Sequence, residues 1–436
     1  MGERIEPKIL KGFRDFLPTH EACRRDIIRH LEHVFTLSGF VPIDTPALEY
    51  TEILLGKSGG ETEKQVYRFF DQGKRDVTLR YDLTVPFARY MAQHKHELIL
   101  PFKRYHIAKV WRGEKPHKGR FREFVQCDFD IVGTDSVSAD FEVLLTIYHS
   151  LKDLKIDKFT IHISHRGILT DYISTLGFKE QSIEILRIID KMQKIGKQEV
   201  AGLLSSIIPE KTVNTILSFI HPESTFQATI EKLSSFLGED SLHLNRIQEI
   251  FHYAEDLGIT SHCSFNPSIT RGLDYYTGVV FETYLSDLPA IGSICSGGRY
   301  DNLVSLFSKE TIPGVGASIG LDRLIAALDE LNILHKDRLS TALLILCIDE
   351  ELIGYYHKLA AHFTEQGIAA EVYPEKKKLA VQFGFAAKKA IPFALICGGE
   401  EKSKGKISIK DVRSRKSYTE ITIQEAITLL KKEVFH

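Results

Sequence analysis

The chain has 436 residues, 43% of them hydrophobic and 26% charged, with a formal net charge of −2. That length exceeds one ordinary core and implies two or three domains of a soluble globular protein. The near-neutral charge argues against a general nucleic-acid binder, no run approaches the roughly 20 apolar residues of a membrane helix, and the charged opening MGERIEPKILKGFRDFLP lacks a signal-peptide core, so we read a cytoplasmic protein with no membrane partner.

Residues 19–39 are expected to form an amphipathic helix, capped by Thr19, with Cys23, Ile27, Leu31, Val34 and Phe35 as one apolar stripe and Gly39 as its end. FVPIDTPALEY, with Pro42 and Pro46, suits an extended segment at a sheet edge or a subunit contact. Three segments then alternate with period two. VTLRYDLTV places Thr78, Arg80, Asp82 and Thr84 on one face. FREFVQCDFDIVG places Arg122, Phe124, Gln126, Asp128 and Asp130 on one face and Phe121, Val125, Cys127, Phe129 and Ile131 on the other. RGLDYYTGVVFETYL also reads as a strand. A sheet with an apolar back and a polar front follows, antiparallel rather than Rossmann-like.

From 178 to 257 helical periodicity replaces strand signals, implying an inserted helical domain. Strand texture returns at about 265 and runs to a helix around Leu321, Leu324, Ile325, Leu328 and Leu331. After HKDRLS, strands at TALLILCID, AAEVYP and FALICGG alternate with helices, which suggests a small α/β domain with partly parallel strands. Between 376 and 416, twelve basic residues (Lys376, Lys377, Lys378, Lys388, Lys389, Lys402, Lys404, Lys406, Lys410, Arg413, Arg415 and Lys416) face only Glu400, Glu401 and Asp411. Such a stretch suits a phosphate-backbone contact, or equally a solvated lysine-rich surface.

Chemistry concentrates in KVWRGEKPHKGRFREFVQCDFDIVG, where two strand-like runs flank a cationic loop. An arginine on a rigid strand end, Arg112, can grip a phosphate through its planar fork, and a ring such as Phe124 can stack a purine. Further on, PGVGASIGLDRLIAAL runs from a small-residue strand into a helix whose first turn holds Arg323. A cation there opposes the helix dipole, which invites a functional reading, and the glycines would let a nucleotide approach. Six cysteines without C-x-x-C spacing, and the absence of HExxH, indicate neither a disulfide framework nor a resident metal. His94 and His96 read as surface residues.

These segments together resemble the class II aminoacyl-tRNA synthetases. The Arg112 and Arg323 segments are similar to motifs 2 and 3 of that class, and GFVPIDTPALE resembles motif 1, its dimer-interface element. RGLDYYTGVVFE at 271–282 and SGGRYDNLV at 296–304 resemble the two signatures of the histidyl-tRNA synthetase family, as do KGFRDFLP and LRYDLTVPFARY. The resemblance implies a class II α+β catalytic domain on an antiparallel sheet in two parts (1–177 and 258–335), a helical insertion (178–257) and a C-terminal α/β anticodon-binding domain (340–436). It implies ATP-dependent attachment of histidine to its tRNA through an adenylate, by a homodimer using ATP with Mg²⁺. Asp82, Thr84 and Gln126 would hold the α-ammonium, and Asp130 and Tyr276, with Tyr275, would address the imidazole. Arg271 and Arg112 would be catalytic, flanking the α-phosphate and the carboxylate, and Arg112, Glu114, Arg120, Phe124 and Arg323 would bind ATP. In some family members glutamate stands in place of Asp82 or Asp130, which keeps the charge and changes the reach.

Taken singly, each feature has a plainer reading. Arg112 or Arg271 alone is a surface ion pair, Asp82 and Asp130 are solvent-face carboxylates, Tyr275 and Tyr276 pack a sheet, Phe124 divides evenly between core and stacking, and Gly297-Gly298 is a turn. Gly316-Ala-Ser-Ile-Gly320 matches the G-x-S-x-G elbow of hydrolases, although the surrounding chain lacks their layout. The ordered motif set favours the ligase. It also outweighs a silent synthetase-like regulator binding histidine or tRNA, because Arg271, the tyrosine pair and residues 340–436 are all present, and a synthetase for another amino acid.

Overall fold

The computed structural model describes residues 4–56, 61–270, 275–334 and 341–434. Two compact units result. One holds the residues before Phe16 together with Ile27–Leu334, and the other holds Phe16–Asp26 and the residues after Leu334.

The strands of the larger unit are Val41–Pro42 (β1), Leu48–Tyr50 (β2), Tyr67–Phe70 (β3), Asp76–Leu79 (β4), Phe102–Trp111 (β5), Glu123–Val132 (β6), Phe159–His165 (β7), Cys263–Phe265 (β8), Val279–Leu285 (β9), Cys295–Arg299 (β10) and Gly314–Gly320 (β11). Among the described residues they build an eight-stranded sheet, β1-β5-β6-β11-β10-β9-β7-β8, and a small sheet, β2-β4-β3. Every pairing from β5 to β7 is antiparallel, as the alternation implies. The two ends depart from that expectation, since β1 runs parallel to β5 and β8 parallel to β7. The proline-bearing segment after Gly39 thus lies at the sheet edge, where Pro42 forfeits no ladder bond inside the sheet.

The two faces of β6 explain why the sheet forms. Val125, Cys127, Phe129 and Ile131 are buried in one cluster with Leu31, Phe35 and Phe40, and the Phe35 and Phe129 rings lie 4.9 Å apart. Each such side chain withdrawn from water contributes about 1.5–3 kcal/mol. The opposite face carries Phe124, Gln126, Asp128 and Asp130.

Several boundaries differ from expectation for local reasons. The first helix spans Pro18–Leu37, so Thr19 lies inside it rather than capping it. Pro18 suits the first helical position because its missing N–H would have no intrahelical partner. The expected stripe is buried, and Gly39 ends the helix region at φ +80°. VTLRYDLTV is a strand only as far as Leu79, and Thr84 already opens the helix Thr84–His94. Pro86 falls in that helix's first turn, and the Asp82 carboxylate accepts the Val85 amide hydrogen at 3.1 Å, which stabilises a helix start over a continued strand. Among the described residues of RGLDYYTGVVFETYL only Val279–Leu285 pairs as a strand, residues 271–274 lying outside them.

The stretch 178–257 is helical as expected, with Ser182–Ile189, Lys197–Ser205, Glu210–Phe219, Phe226–Leu237 and Leu242–Asp256 its main elements. Its apolar residues join the cluster that also contains the back of the sheet. The smaller unit carries Leu343–Ile345 (β12), Ala370–Val372 (β13), Phe393–Ile396 (β14), Ile407–Asp411 (β15) and Ser417–Ile421 (β16) in the order β13-β12-β14-β15-β16. The first three are parallel to one another and the last two antiparallel, which matches the partly parallel α/β expectation. All six cysteines are free thiols.

Candidate active site

The polar face of β6 opens into a cavity of about 430 Å³, within the range of small-ligand sites. Asp82, Thr84, Arg112, Glu114, Arg120, Phe124, Gln126, Asp130, Tyr275, Tyr276 and Arg323 all line it. Of the site residues inferred from sequence, Arg271 alone lies outside the described residues.

One half of the cavity is cationic. Arg112 follows directly on β5, and its Nε donates to the Tyr81 carbonyl at 2.9 Å while its guanidinium sits 5.1 Å from the Phe124 ring centre. These contacts leave the fork little freedom, which is what repeated gripping of a phosphate requires. Arg120 forms an ion pair with Glu114. Burial raises the Glu114 carboxyl, but the Arg120 bond and the nearby Arg112 and Arg323 charges outweigh it, leaving the group ionised below its ordinary value. Arg323, on the first turn of the helix Leu321–Glu330, donates to the Ser293 carbonyl at 2.5 Å. The neighbouring Asp322 accepts from Arg14 and from the Val125 amide, tying the opening segment and the start of β6 to that helix.

The other half is a carboxylate-rich floor. Asp82, Asp128 and Asp130 are each at most 3% exposed. Burial pushes the Asp82 carboxyl up to about 6 and the Asp128 carboxyl up to about 7, against the pull of the Val85 amide in the first case and Arg104 in the second. Asp130 is raised by burial too, opposed by Arg104, whose Nη2 lies 2.7 Å from Oδ2, and by the Tyr300 hydroxyl, which donates to Oδ1 at 2.6 Å. Gln126 donates to Ser318 at 2.8 Å. The Asp82 Oδ2 and Gln126 Oε1 atoms are buried and, among the described residues, have no hydrogen-bond partner. Unpaired buried acceptors carry a desolvation cost that a cationic ligand would relieve. Burial also drives the Tyr275 hydroxyl well above its usual value, so it is a neutral donor, and its ring lies 4.8 Å from that of Tyr276.

Two of the glycines have a further role inside the pocket wall. A Cβ on Gly316 would meet the Asp130 carboxylate at 2.0 Å, and one on Gly314 would meet the Tyr300 ring at 2.6 Å. These two glycines make room for the pocket's own side chains. Gly297 and Gly298 stand within β10 rather than in a turn, because a Cβ on Gly297 would strike the Gly316 carbonyl at 2.2 Å across the ladder. Ser318 lies mid-strand in β11, hydrogen-bonded to Gln126, and not on a strand-to-helix elbow, which removes the hydrolase reading.

Four further groups of the pocket and its wall do not stand out in the sequence as site residues. Asp128 shares the alternation face of Gln126 and Asp130, but period two places it on that face without giving it a role. Tyr300 and Ser318 stand in the quoted motifs but carry no individual signal. Arg104 requires knowing that β5 pairs with β6 in the register that sets it beside Asp130. Asp190, from the helical stretch 178–257, lines the cavity as well.

Comparison with known proteins gives the family. Residues 12–324 match the family described as histidyl-tRNA synthetase, and residues 342–433 match the anticodon binding domain. The chain is 50% identical to a histidine--tRNA ligase of Treponema denticola, over 99% of each chain, and 43% identical to that of Wolinella succinogenes, over 98% of each. Among solved structures, a histidyl-tRNA synthetase from Nostoc sp. PCC 7120 superposes with a TM-score of 0.87 at 32% identity, covering 99% of this chain and 100% of that one.

Proposed function

The chain belongs to the histidyl-tRNA synthetase family, and from that premise we propose how its pocket charges a tRNA with histidine. ATP and histidine enter as substrates. The histidine carboxylate attacks the α-phosphorus of ATP, the bond to the β-phosphate oxygen breaks, and pyrophosphate leaves with the electron pair. The terminal ribose hydroxyl of the tRNA then attacks the adenylate carbonyl and AMP departs. The nucleophile is already an anion, so positioning and charge neutralisation carry the first step.

The single observation that carries this reading is the division of one cavity into a cationic half and an acidic floor. Arg112, Arg120 and Arg323 would receive the triphosphate and Phe124 the adenine. Asp82 and Gln126, each with a buried oxygen that no described residue bonds, and Thr84 beside them would hold the α-ammonium. Asp130, Tyr275 and Tyr276 would meet the imidazole, whose two nitrogens allow one donor and one acceptor contact together. A substrate lacking those nitrogens would leave these groups unpaired, which is how such a pocket discriminates. Arg271, outside the described residues, would act with Arg112 on the α-phosphate and the carboxylate. Mg²⁺, supplied with ATP, would add charge neutralisation at the phosphates beside Arg112, Arg120 and Arg323.

The smaller unit would read the anticodon. Lys376, Lys377 and Lys378 are exposed, and Lys410 and Lys416 lie 4.9 and 4.7 Å from the Phe383 and Tyr418 rings, which combines backbone charge with stacking faces. Val41, Leu48 and Tyr50, exposed at 46%, 38% and 50%, support a homodimer contact along the motif 1 segment. No described helix is long and apolar enough to cross a membrane, in keeping with a cytoplasmic enzyme.

Amino-acid-dependent exchange of labelled pyrophosphate into ATP, run across the twenty amino acids, tests the reading. Histidine alone should support exchange, and Arg271→Ala should abolish it in a folded protein. Exchange with a different amino acid would discard the pocket assignment, and none at all would favour a binding protein without ligase activity.

A further inference from the structure

Behind the pocket, three elements meet at one buried carboxylate. Asp140, on the helix Val137–Asp153, has no exposed surface. Its Oδ1 accepts from both Nε and Nη2 of Arg299, at 2.9 and 2.7 Å. Its Oδ2 accepts from Arg246 Nε at 2.6 Å. Arg299 ends β10 and is itself 2% exposed, while Arg246 belongs to the helix Leu242–Asp256 of the insertion. Asp135 and Asp301 add further carboxylates around the two guanidiniums.

Arg299 is bonded into the pocket wall on both sides. The next residue is Tyr300, whose hydroxyl reaches Asp130. The Arg299 carbonyl accepts the Thr277 amide at 2.8 Å, and Thr277, which follows Tyr276, donates its hydroxyl to Asp301 at 2.6 Å. The Arg299 stem also fills the space above Gly278, where a Cβ would meet it at 3.0 Å. Tyr276 and Tyr300 are therefore held by the residue that Asp140 holds.

We propose that Arg246 is a positioning residue for the amino-acid half of the pocket, acting from the insertion through Asp140 and Arg299 on Tyr300 and Tyr276. Because Arg246 occupies Oδ2, Arg299 grips Oδ1 alone with two of its nitrogens. Without Arg246, Oδ2 becomes a buried acceptor with no partner, and the strongest available relief is rotation of Arg299 into a two-oxygen fork. That rotation displaces the end of β10 and with it both tyrosines. The cationic half, built on β5, β6 and the helix Leu321–Glu330, makes none of these bonds. The effect should therefore fall on histidine and spare ATP.

This inference rests on the histidine assignment made above, and the experiment separates the two. Histidine affinity is measured by calorimetry, and the KM values for histidine and ATP by pyrophosphate exchange, for the parent, Arg246→Met and Arg246→Lys. We expect Arg246→Met to weaken histidine about tenfold, the upper part of the range for coupling through intervening residues, while the ATP KM moves less than about twofold. Arg246→Lys, which keeps a cation on Asp140 and loses the fork, should fall between. A folded Arg246→Met with parental histidine affinity would overturn the proposal, as would equal weakening of both substrates. Should Arg246→Met not fold, Arg246→Lys decides: a histidine-only loss upholds the proposal and unchanged affinity ends it. A parent protein that binds no histidine would fell the pocket assignment and this inference together.

Discussion

The floor of the pocket and the basic face of the smaller unit both carry high charge, and they handle it in opposite ways. At the floor, Asp82, Asp128 and Asp130 are stripped of water, with Arg104 paired to Asp130 at 2.7 Å and Arg112 the stronger cationic influence on Asp82. Between 376 and 416, most of the lysines and arginines stay exposed, with Lys406 and Lys410 half-buried. Buried charge is strong, geometrically demanding and destabilising until a ligand completes it. Exposed charge is weak per contact, tolerant of geometry and screened by salt. The first suits choosing one amino acid out of twenty, and the second suits holding a long polyanion whose bases are read separately.

The largest expected effect lies at the cationic wall of the pocket. Arg112→Ala should lower the rate of histidine-dependent pyrophosphate exchange by a factor on the order of 10²–10³, the usual loss for one preorganised charge-stabilising group, with little change in the unfolding midpoint. Activity within about tenfold of the parent would move transition-state stabilisation away from Arg112 and weaken the contrast between the two regions.

The next effect concerns the stability held back by the acidic floor. Asp128 ionises near 7 in the folded chain, well above the ordinary carboxyl value, so folding favours its protonated form. Its destabilising contribution is absent below about pH 4, grows as pH rises towards 7, and is complete above that. Removing the charge with Asp128→Asn should thus raise the ligand-free unfolding free energy at pH 8 by a few kcal/mol, because each tenfold change in proton affinity on folding is worth about 1.4 kcal/mol, and should change it little at pH 4. Urea titrations at the two pH values read this directly. A variant equally or less stable than the parent at pH 8 would show that Asp128 is better compensated than its burial suggests.

The smallest effect should come from the exposed side of the comparison. Replacing Lys376, Lys377 and Lys378 together by Gln should reduce tRNA charging several-fold. It should also lower the salt dependence of tRNA binding by about 0.7 in logarithmic slope for each phosphate that these lysines neutralise in the parent. Amino-acid activation should be untouched. An unchanged salt slope would return those lysines to an ordinary solvated surface.

Much of the site is legible without the fold, because alternation in a strand is local information. Gln126, Asp128 and Asp130 fall on one face of β6 from their spacing alone, and the apolar residues between them declare the back of the sheet. The same rule overreaches at Asp82 and Thr84, where Pro86 and the Asp82 cap turn the chain into a helix that still delivers both residues to the cavity. Ordered motifs, rather than any single residue, carry the family, since a lone Arg112 or Tyr276 has a plainer explanation.

Local patterns were enough for the polar front and apolar back of the sheet, the helical texture of 178–257, the α/β character of the last hundred or so residues and the identity of most groups in the cavity. Only the tertiary structure decided that Arg104 stands against Asp130, that Gly314 and Gly316 make room for Tyr300 and Asp130, and that Arg246 and Arg299 share Asp140. The physical reason is the range of each signal. Periodicity and capping depend on neighbours a few residues apart, whereas strand register and the partners of a buried charge are set by segments tens to hundreds of residues away, and no local pattern records which of them will meet.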